Sequence, residues 1–251
     1  MTRLLVFVTM AVLLLFSSTG RAQSNPTGPS GAAPRLASDA ALNQLYEGAR
    51  HGNRYSRERL TDMAERADAH AQYLLGLMLL HGEGLPKNEA EALKWFSKAV
   101  GQNHLPAQAV IARLYLEGLG VPQDYAVAAK CLLPVAERGD RWAQYQLAVL
   151  YQNGRGVAKD PTQAIAWATR AAEQGYPEAQ NLVGSLMSQR QPVSNPPDNI
   201  SAYMWLSMAA ARGDKQAAAN LASLEQQMSS VEIAEAKRRA VERWKQQRSV
   251  K

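Results

Sequence analysis

The chain has 251 residues, of which 46% are hydrophobic and 20% are charged, and its formal net charge at pH 7 is +6. Removing Arg3 and Arg21 with a leader segment lowers that charge by two, to +4, which by itself predicts no nucleic acid or other polyanion as a partner. The single cysteine excludes a disulfide framework within the chain, so packing alone must stabilise the fold.

The first 22 residues have the pattern of a cleavable export signal. A basic start ends at Arg3, residues 4–16 are apolar with one exception, and the segment closes on the small residues Gly20 and Ala22. The apolar run is shorter than the roughly 20 residues that a membrane-spanning helix needs, although a retained signal anchor stays an alternative. We expect cleavage near Ala22 and a mature protein that is periplasmic or secreted.

Residues 23–37 are rich in proline, glycine, serine and alanine and nearly lack large apolar side chains, which predicts a flexible tether. Residues 38–70 follow as a degenerate N-terminal repeat, with one helix predicted over 38–51 and another over 54–67. We expect this repeat to act as a cap that shields the first full repeat from water.

A unit of 36 residues then repeats through the middle of the chain. Four alanines head the successive units and each is followed by glutamine: Ala71, Ala107, Ala143 and Ala179. A fixed period of this size is typical of a solenoid built from one stacked supersecondary unit. We assign repeats 1 to 4 to residues 71–106, 107–142, 143–178 and 179–213.

Each unit is predicted to contain two helices, A and B, joined by a glycine turn. Helix A of repeat 1 covers Ala71 to Leu80, with apolar residues at three- and four-residue steps. It ends at Gly82, because glycine adopts the left-handed conformation that closes a helix. Helix B then begins at a residue whose side chain accepts hydrogen bonds from the first free amides: Asn88, Asp124 or Asp160.

Helix B has further start and stop signals. Asn88 and Glu91 have the spacing of a capping box, and Pro161 stands in a first helical turn, where proline is tolerated. One bulky position per helix is expected in the core among small residues, and it is occupied by Trp95, Cys131 and Trp167. The helix is expected to end at a residue that enters the left-handed region easily: Asn103, Gly139 or Gly175.

Repeat 4 replaces the glycine turn with a proline-containing insertion at 188–199, which we interpret as a tolerated surface insertion rather than a dedicated contact loop. Residues 214–251 are predicted to form C-terminal capping helices, the last of which starts at a capping box of Ser229 and Glu232. Its basic residues indicate either a solvated helix face or contact with anionic lipid or cell-wall polymer. Its predicted apolar stripe is Ile233, Ala240, Val241 and Trp244.

The sequence AQYLLGLMLLHGEGLPKNEAEALKWFSKAV, residues 71–100, resembles the Sel-one-like repeat, a relative of the tetratricopeptide repeat with a longer, glycine-containing turn. The resemblance covers about residues 54–247. It implies an all-α fold, an α/α superhelical solenoid of stacked helix-turn-helix repeats with helices A on the concave face, and proteins that mostly bind other proteins.

Motifs for catalysis or for cofactor or metal binding are absent from the sequence. The four histidines have none of the spacings of metal ligands: His51, His70, His81 and His104. We predict a non-enzymatic scaffold, adaptor or regulator that binds another envelope protein, for example a sensor kinase or a secretion component. The alternative is a cell-wall-associated enzyme or a peptidoglycan- or β-lactam-binding protein, although these repeats lack the paired cysteines of the branch linked to that activity.

A second stripe of helix A differs among the repeats while the core positions stay alike, and the resemblance places this stripe toward the concave groove. Trp142 and Tyr145 are large amphipathic side chains of the kind that dominate interface hot spots, whereas packing against a neighbouring repeat is the alternative role. The predicted partner-binding residues are His70, Tyr73, Leu77, Arg113, Trp142, Tyr145, Val149 and Asn181.

Overall fold

The computed structural model describes residues 38–189 and 198–249. The export signal, the tether and residues 190–197 of the predicted insertion lie outside this part of the chain. The described residues form twelve α-helices and no strand, and the predicted all-α repeat fold is confirmed. The helices are α1 Asp39–Arg50, α2 Arg54–Glu65, α3 Ala69–His81, α4 Glu89–Val100, α5 Leu105–Glu117, α6 Tyr125–Glu137, α7 Arg141–Asn153, α8 Pro161–Glu173, α9 Pro177–Ser188, α10 Asn199–Ala210, α11 Lys215–Glu225 and α12 Ser230–Ser249.

The chain divides into two compact units, unit 1 up to Cys131 and unit 2 from Leu132. In unit 1, helices α1 to α5 each pack against the next along the chain, and α1 also packs against α3. In unit 2, helices α7 to α11 pack in the same consecutive manner, α9 also contacts α11, and α12 returns to pack against α10. The A helices α1 and α3 of unit 1, and α9 and α11 of unit 2, are therefore neighbours.

The core of each unit is built from the positions that stay alike between repeats. The alanine at the head of each repeat is completely buried in all four repeats, and the position four residues later is occupied by a buried aliphatic side chain. Such a pair recurs one helical turn apart on the same helix face. The core residues of these two positions are Ala71, Ala107, Ala143, Ala179, Leu75, Ile111, Leu147 and Val183.

The turn between helices A and B has one geometry in repeats 1 to 3. The first glycine takes positive φ angles of 75°, 72° and 66° and ends the helix, as predicted, at Gly82, Gly118 and Gly154. The turn closes where the residue just before helix B donates its amide hydrogen to a carbonyl of helix A: Asn88 to Leu79 at 2.8 Å, Asp124 to Tyr115 at 3.0 Å and Asp160 to Tyr151 at 3.0 Å.

The predicted caps are confirmed with one correction. Asn88, Asp124 and Asp160 each accept a hydrogen bond from an amide of the first turn of helix B. The capping box at Asn88 is wrong in its second half, because the Asn88 amide already donates to Leu79 and the Glu91 carboxylate pairs with Lys94 at 2.9 Å. At Ser229 both halves of the box form.

Helix B packs through one more position than the sequence analysis found. Trp167 and Cys131 are buried as predicted, whereas Trp95 is only partly buried. The following position is completely buried in every repeat, as Phe96, Leu132, Ala168 and Leu206.

The residue that faces this position from helix A is small for a steric reason. A Cβ atom added at Gly76 would lie 2.6 Å from Cε1 of Phe96, and one added at Gly184 would lie 2.6 Å from Cγ of Leu206. The helices approach so closely at these two sites that glycine is required on helix A, whereas repeat 2 has Ala112 at the equivalent position.

The last helix also differs in part from its prediction. Val241 is 55% exposed and does not belong to the apolar stripe, whereas Ala236 is completely buried. Within residues 38–189 and 198–249, no helix has both the length and the apolar character needed to cross a membrane.

Candidate partner-binding surface

Two of the predicted binding residues form an aromatic cluster in unit 1, together with one that was not predicted. His70 and Tyr73 lie in the first turns of α3, with ring centroids 5.9 Å apart. The Tyr73 ring lies 5.0 Å from the ring of His104, the residue that caps α5. All three side chains are partly exposed, so the cluster borders the solvent.

A chain of hydrogen bonds fixes the two imidazoles of this cluster. The Ala107 amide donates to Nδ1 of His104 at 3.3 Å, which leaves the hydrogen of the neutral ring on Nε2. Nε2 of His104 lies 3.3 Å from Nδ1 of His70, and Nε2 of His70 lies 3.1 Å from Oδ1 of Asn43. Each ring can therefore donate from Nε2 and accept at Nδ1, in one direction along the chain.

Burial sets the acid–base properties of the cluster. It lowers the pKa of His104, with the neighbouring His70 acting in the same direction, and it raises the pKa of Tyr73. Both groups are thus held neutral near pH 7. The two histidines do not form a metal site, because the lone pair of His104 already accepts the Ala107 amide; the described residues contain no group of three metal-ligating side chains.

An aromatic pair occupies the corresponding place in unit 2. The rings of Tyr145 on α7 and Tyr176, which precedes α9, have centroids 5.4 Å apart, and the guanidinium carbon of Arg141 lies 5.9 Å from the Tyr176 centroid. Burial raises the pKa of Tyr145, and the carboxylate of Glu178 adds to that shift. Both tyrosines are partly exposed.

The clusters in the two units are equivalent in the repeat frame. Tyr145 stands 72 residues after Tyr73, and Tyr176 stands 72 residues after His104, so the same pair of positions is aromatic in alternate repeats. Sequence analysis missed His104 and Tyr176, although a signal was present. They occupy the cap position at which the other repeats have Asp68, Asp140 or Asp214.

The remaining predicted residues have different surroundings. Leu77 is partly buried and packs against the core of unit 1, Arg113 is exposed on α5, and Trp142 and Val149 are partly exposed on α7. Oδ1 of Asn181 accepts a hydrogen bond from Asn220 on α11 at 3.0 Å, which ties this residue to the neighbouring A helix.

Three basic residues of α12 are paired with carboxylates of the chain. Arg238 contacts Glu235 and Glu242, Arg239 contacts Glu235, and Arg243 reaches Glu173 on α8 at 2.6 Å. Hydrogen bonds from the two guanidinium groups lower the pKa of Glu235 to about 2. This pairing favours a solvated helix face over a docking site for anionic polymers.

Comparison with known proteins places these features in a family. A model described as the Sel1 repeat matches residues 69–104, 105–140, 143–176 and 177–214. The crystal structure of a Sel1 repeat protein from Oxalobacter formigenes is similar over 72% of this chain and 76% of that one, with 31% identity and a TM-score of 0.62. No curated protein sequence matches the chain.

A second solved structure supports the fold alone. It is c5321, a protective antigen present in uropathogenic Escherichia coli strains and displaying an SLR fold. It is 22% identical, with a TM-score of 0.51, and the match covers 85% of this chain and 56% of that one. Proteins built from the Sel1 repeat generally act as protein-interaction scaffolds and are typically non-catalytic. Since the family model matches more than half of the sequence, the chain belongs to the Sel1 repeat family.

Proposed function

We propose that this protein is a non-catalytic adaptor or regulator that binds another protein of the bacterial envelope through the side of its A helices that carries Tyr73 and Tyr145. The leader pattern of residues 1–22 supports export, so the mature chain would act in the periplasm or outside the cell after cleavage near Ala22. In each unit the binding residues would be those of the predicted helix A stripe, joined by His104 in unit 1 and by Tyr176 in unit 2.

The equivalent aromatic pairs of the two units carry this proposal. Core positions of helix A are completely buried, whereas Tyr73, Tyr145 and their partners His104 and Tyr176 are only partly buried. Aromatic residues at this stripe are not needed by the repeat frame itself, since Ala109 occupies the same position in repeat 2. Their placement at the solvent boundary therefore supports a role in recognition.

Ring contacts also prepare these side chains for binding. Tyr145 is held against Tyr176, and Tyr73 is held against His104, so little side-chain freedom remains to be lost when a partner docks. Large, amphipathic and pre-ordered aromatic groups are the usual energetic centres of protein interfaces. Trp142 lies one turn from Tyr145 on the same helix and adds a further large group.

Crosslinking in intact cells followed by affinity capture of the full chain tests the proposal. We expect a specific envelope protein to be recovered with the wild type and lost when Trp142 and Tyr145 are both changed to alanine. Circular dichroism must show that the variant stays folded, because both side chains are partly buried.

The chain offers a matched control at Tyr55 on α2, which is 71% exposed and lies on a B-type helix. Tyr55→Ala should retain capture, since it removes the same side chain from another surface. Equal loss of capture in the Tyr55 variant would contradict the assignment of the surface. Turnover of nitrocefin or release of muropeptides by the purified protein would contradict the non-catalytic role.

A further inference from the structure

We propose that His70 and His104 form a pH-sensitive latch that holds the candidate surface of unit 1 at neutral pH and opens on acidification, releasing the bound partner. The part of this inference that concerns release depends on the proposed function, whereas the latch itself does not. It is built from the one-directional chain of hydrogen bonds that links Ala107, His104, His70 and Asn43.

The direction of the chain is fixed at its backbone end. An amide nitrogen can only donate, so Nδ1 of His104 must accept from Ala107 and Nε2 must carry the hydrogen. That hydrogen requires Nδ1 of His70 to accept, which leaves Nε2 of His70 to donate to Asn43. Moving the hydrogen of either ring from Nε2 to Nδ1 would make two hydrogens face each other.

Neither imidazole can therefore take up a proton without breaking a bond. On His104 the only nitrogen without a hydrogen is Nδ1. A proton there would displace the Ala107 amide and remove the cap of α5. On His70 the nitrogen without a hydrogen is also Nδ1, and a proton there would face the Nε2 hydrogen of His104. A proton on His104 thus detaches the chain of hydrogen bonds from the backbone at the start of α5, and a proton on His70 breaks the bond between α3 and His104.

The charged groups around His104 act in opposite directions. Asp39 on α1 and Asp68 at the start of α3 favour the imidazolium, whereas burial and the adjacent His70 oppose it. Tyr73 on α3 is neutral, because burial raises its pKa, and Asn43 on α1 carries no charge. The effects of burial and of His70 are the larger, so the pKa of His104 lies below its ordinary value of 6.5.

The sign of the pH effect follows from that depression. The folded chain binds the proton of His104 less readily than the unfolded chain, so the contribution of the neutral ring to stability is complete above the unfolded pKa of 6.5. It declines as the pH falls below that value. Helices α3, α7 and α11 are not subject to this loss, since aspartate caps them at Asp68, Asp140 and Asp214.

Hydrogen exchange of the full chain, followed by NMR at pH 7.5 and pH 5.0, tests the latch directly. We expect the protection factor of the Ala107 amide to fall about fivefold on acidification, the ratio that corresponds to losing one helix cap. The Ala143 amide, which donates to Asp140 at 2.7 Å, should keep its protection over the same range and serves as an internal control.

Two variants separate the latch from general acid effects. His104→Asp installs the aspartate cap that α3, α7 and α11 have and should abolish the loss of protection at Ala107. His81→Asn removes an exposed histidine and should leave the loss unchanged. Unchanged protection of Ala107 in the wild type between the two pH values would overturn the latch.

A binding arm tests release with the crosslinked complex described above. When the crosslinking is carried out at each pH, we expect wild-type complex at pH 7.5 and little at pH 5.0, and the same loss in the control variant His81→Asn. A complex that persists at pH 5.0 while Ala107 loses protection would overturn the release step. If Ala107 loses protection but no complex is recovered at either pH, the proposed function fails and the latch stands.

Discussion

Gln174, which directly follows α8, donates a hydrogen bond from Nε2 to Oε1 of Gln144 on α7 at 2.8 Å. Gln144 is buried and donates in turn to the carbonyl oxygen of Ala136 at 2.9 Å. The same pattern recurs in repeat 1, where Gln72 bonds Gln102 and Ala64. The head glutamine of repeats 1, 3 and 4 thus joins helix A to the preceding helix B, through Gln72, Gln144 and Gln180.

Replacing Gln144 with methionine should destabilise the fold by about 1–3 kcal/mol, because the change keeps the volume but removes two hydrogen bonds, the one that Gln144 donates to the Ala136 carbonyl and the one that it accepts from Gln174. Urea denaturation of the variant and the wild type measures this difference in the free energy of unfolding.

Repeat 2 supplies a matched control for that change. Oε1 of Gln108 is buried and has no hydrogen-bond partner among the described residues. Gln108→Met should therefore cost less than Gln144→Met or even stabilise the chain, since it removes an unsatisfied acceptor. An equal loss at both positions would show that side-chain shape, not hydrogen bonding, determines the effect.

The second glycine of the turn in repeat 1 should tolerate alanine far less than a glycine with the same backbone angle elsewhere. Gly84 and Gly118 have φ angles of 71° and 72°, so both alanine variants carry similar backbone strain of about 1–2 kcal/mol. A Cβ at Gly84 would also lie 2.2 Å from the carbonyl oxygen of Ala49, whereas the nearest atom to a Cβ at Gly118 is 3.6 Å away. Thermal unfolding should show a larger loss for Gly84→Ala, and equal losses would contradict the close approach.

Trp167→Ala should lower the free energy of unfolding by about 3–5 kcal/mol, because this side chain is 93% buried in unit 2, its exposed fraction being 7%. Cys131→Ser, at the corresponding position of α6, should cost less and should leave partner capture intact. Denaturant titration of both variants provides the comparison. A Trp167→Ala variant as stable as the wild type would contradict the packing of α8.

Export predicts a defined mature N-terminus. Cleavage after Ala22 should yield a chain that begins at Gln23, because Gly20 and Ala22 are small enough for the signal peptidase. Intact-mass spectrometry of the periplasmic fraction measures this directly. Recovery of chains that retain Met1 would indicate a signal anchor instead.

Local features of the fold could be predicted from the sequence. Gly82, Asn88 and Asn103 act through the backbone of a few neighbouring residues, so their spacing alone indicates where helices end and begin, and the structure agrees at each. The fold class could be predicted from the repeat period. One such unit specifies its neighbours by stacking.

Features that depend on packing between helices could not be predicted. Phe96 and Trp95 are adjacent in sequence and about 100° apart around the helix, so a broad alanine-rich stripe does not determine which of them is buried. The same ambiguity placed Val241 on the wrong face of α12.

The candidate surface shows the same division between local and distant information. Tyr73 and Tyr145 could be singled out because the residue at their position differs among the repeats. The contact of His70 with His104, in contrast, joins residues 34 positions apart. The spacing between the two helices determines that contact, and the residues along one helix carry no information about it.

The complete burial of Cys131, the single cysteine of the chain, makes the protein suited to site-specific labelling. Burial raises the pKa of its thiol to about 12, so at pH 7 to 8 almost none of the reactive thiolate is present. A cysteine introduced at an exposed position such as Tyr55 would then be the preferred target for a maleimide dye. Fluorophores can be attached to the native sequence background, without first replacing the natural thiol.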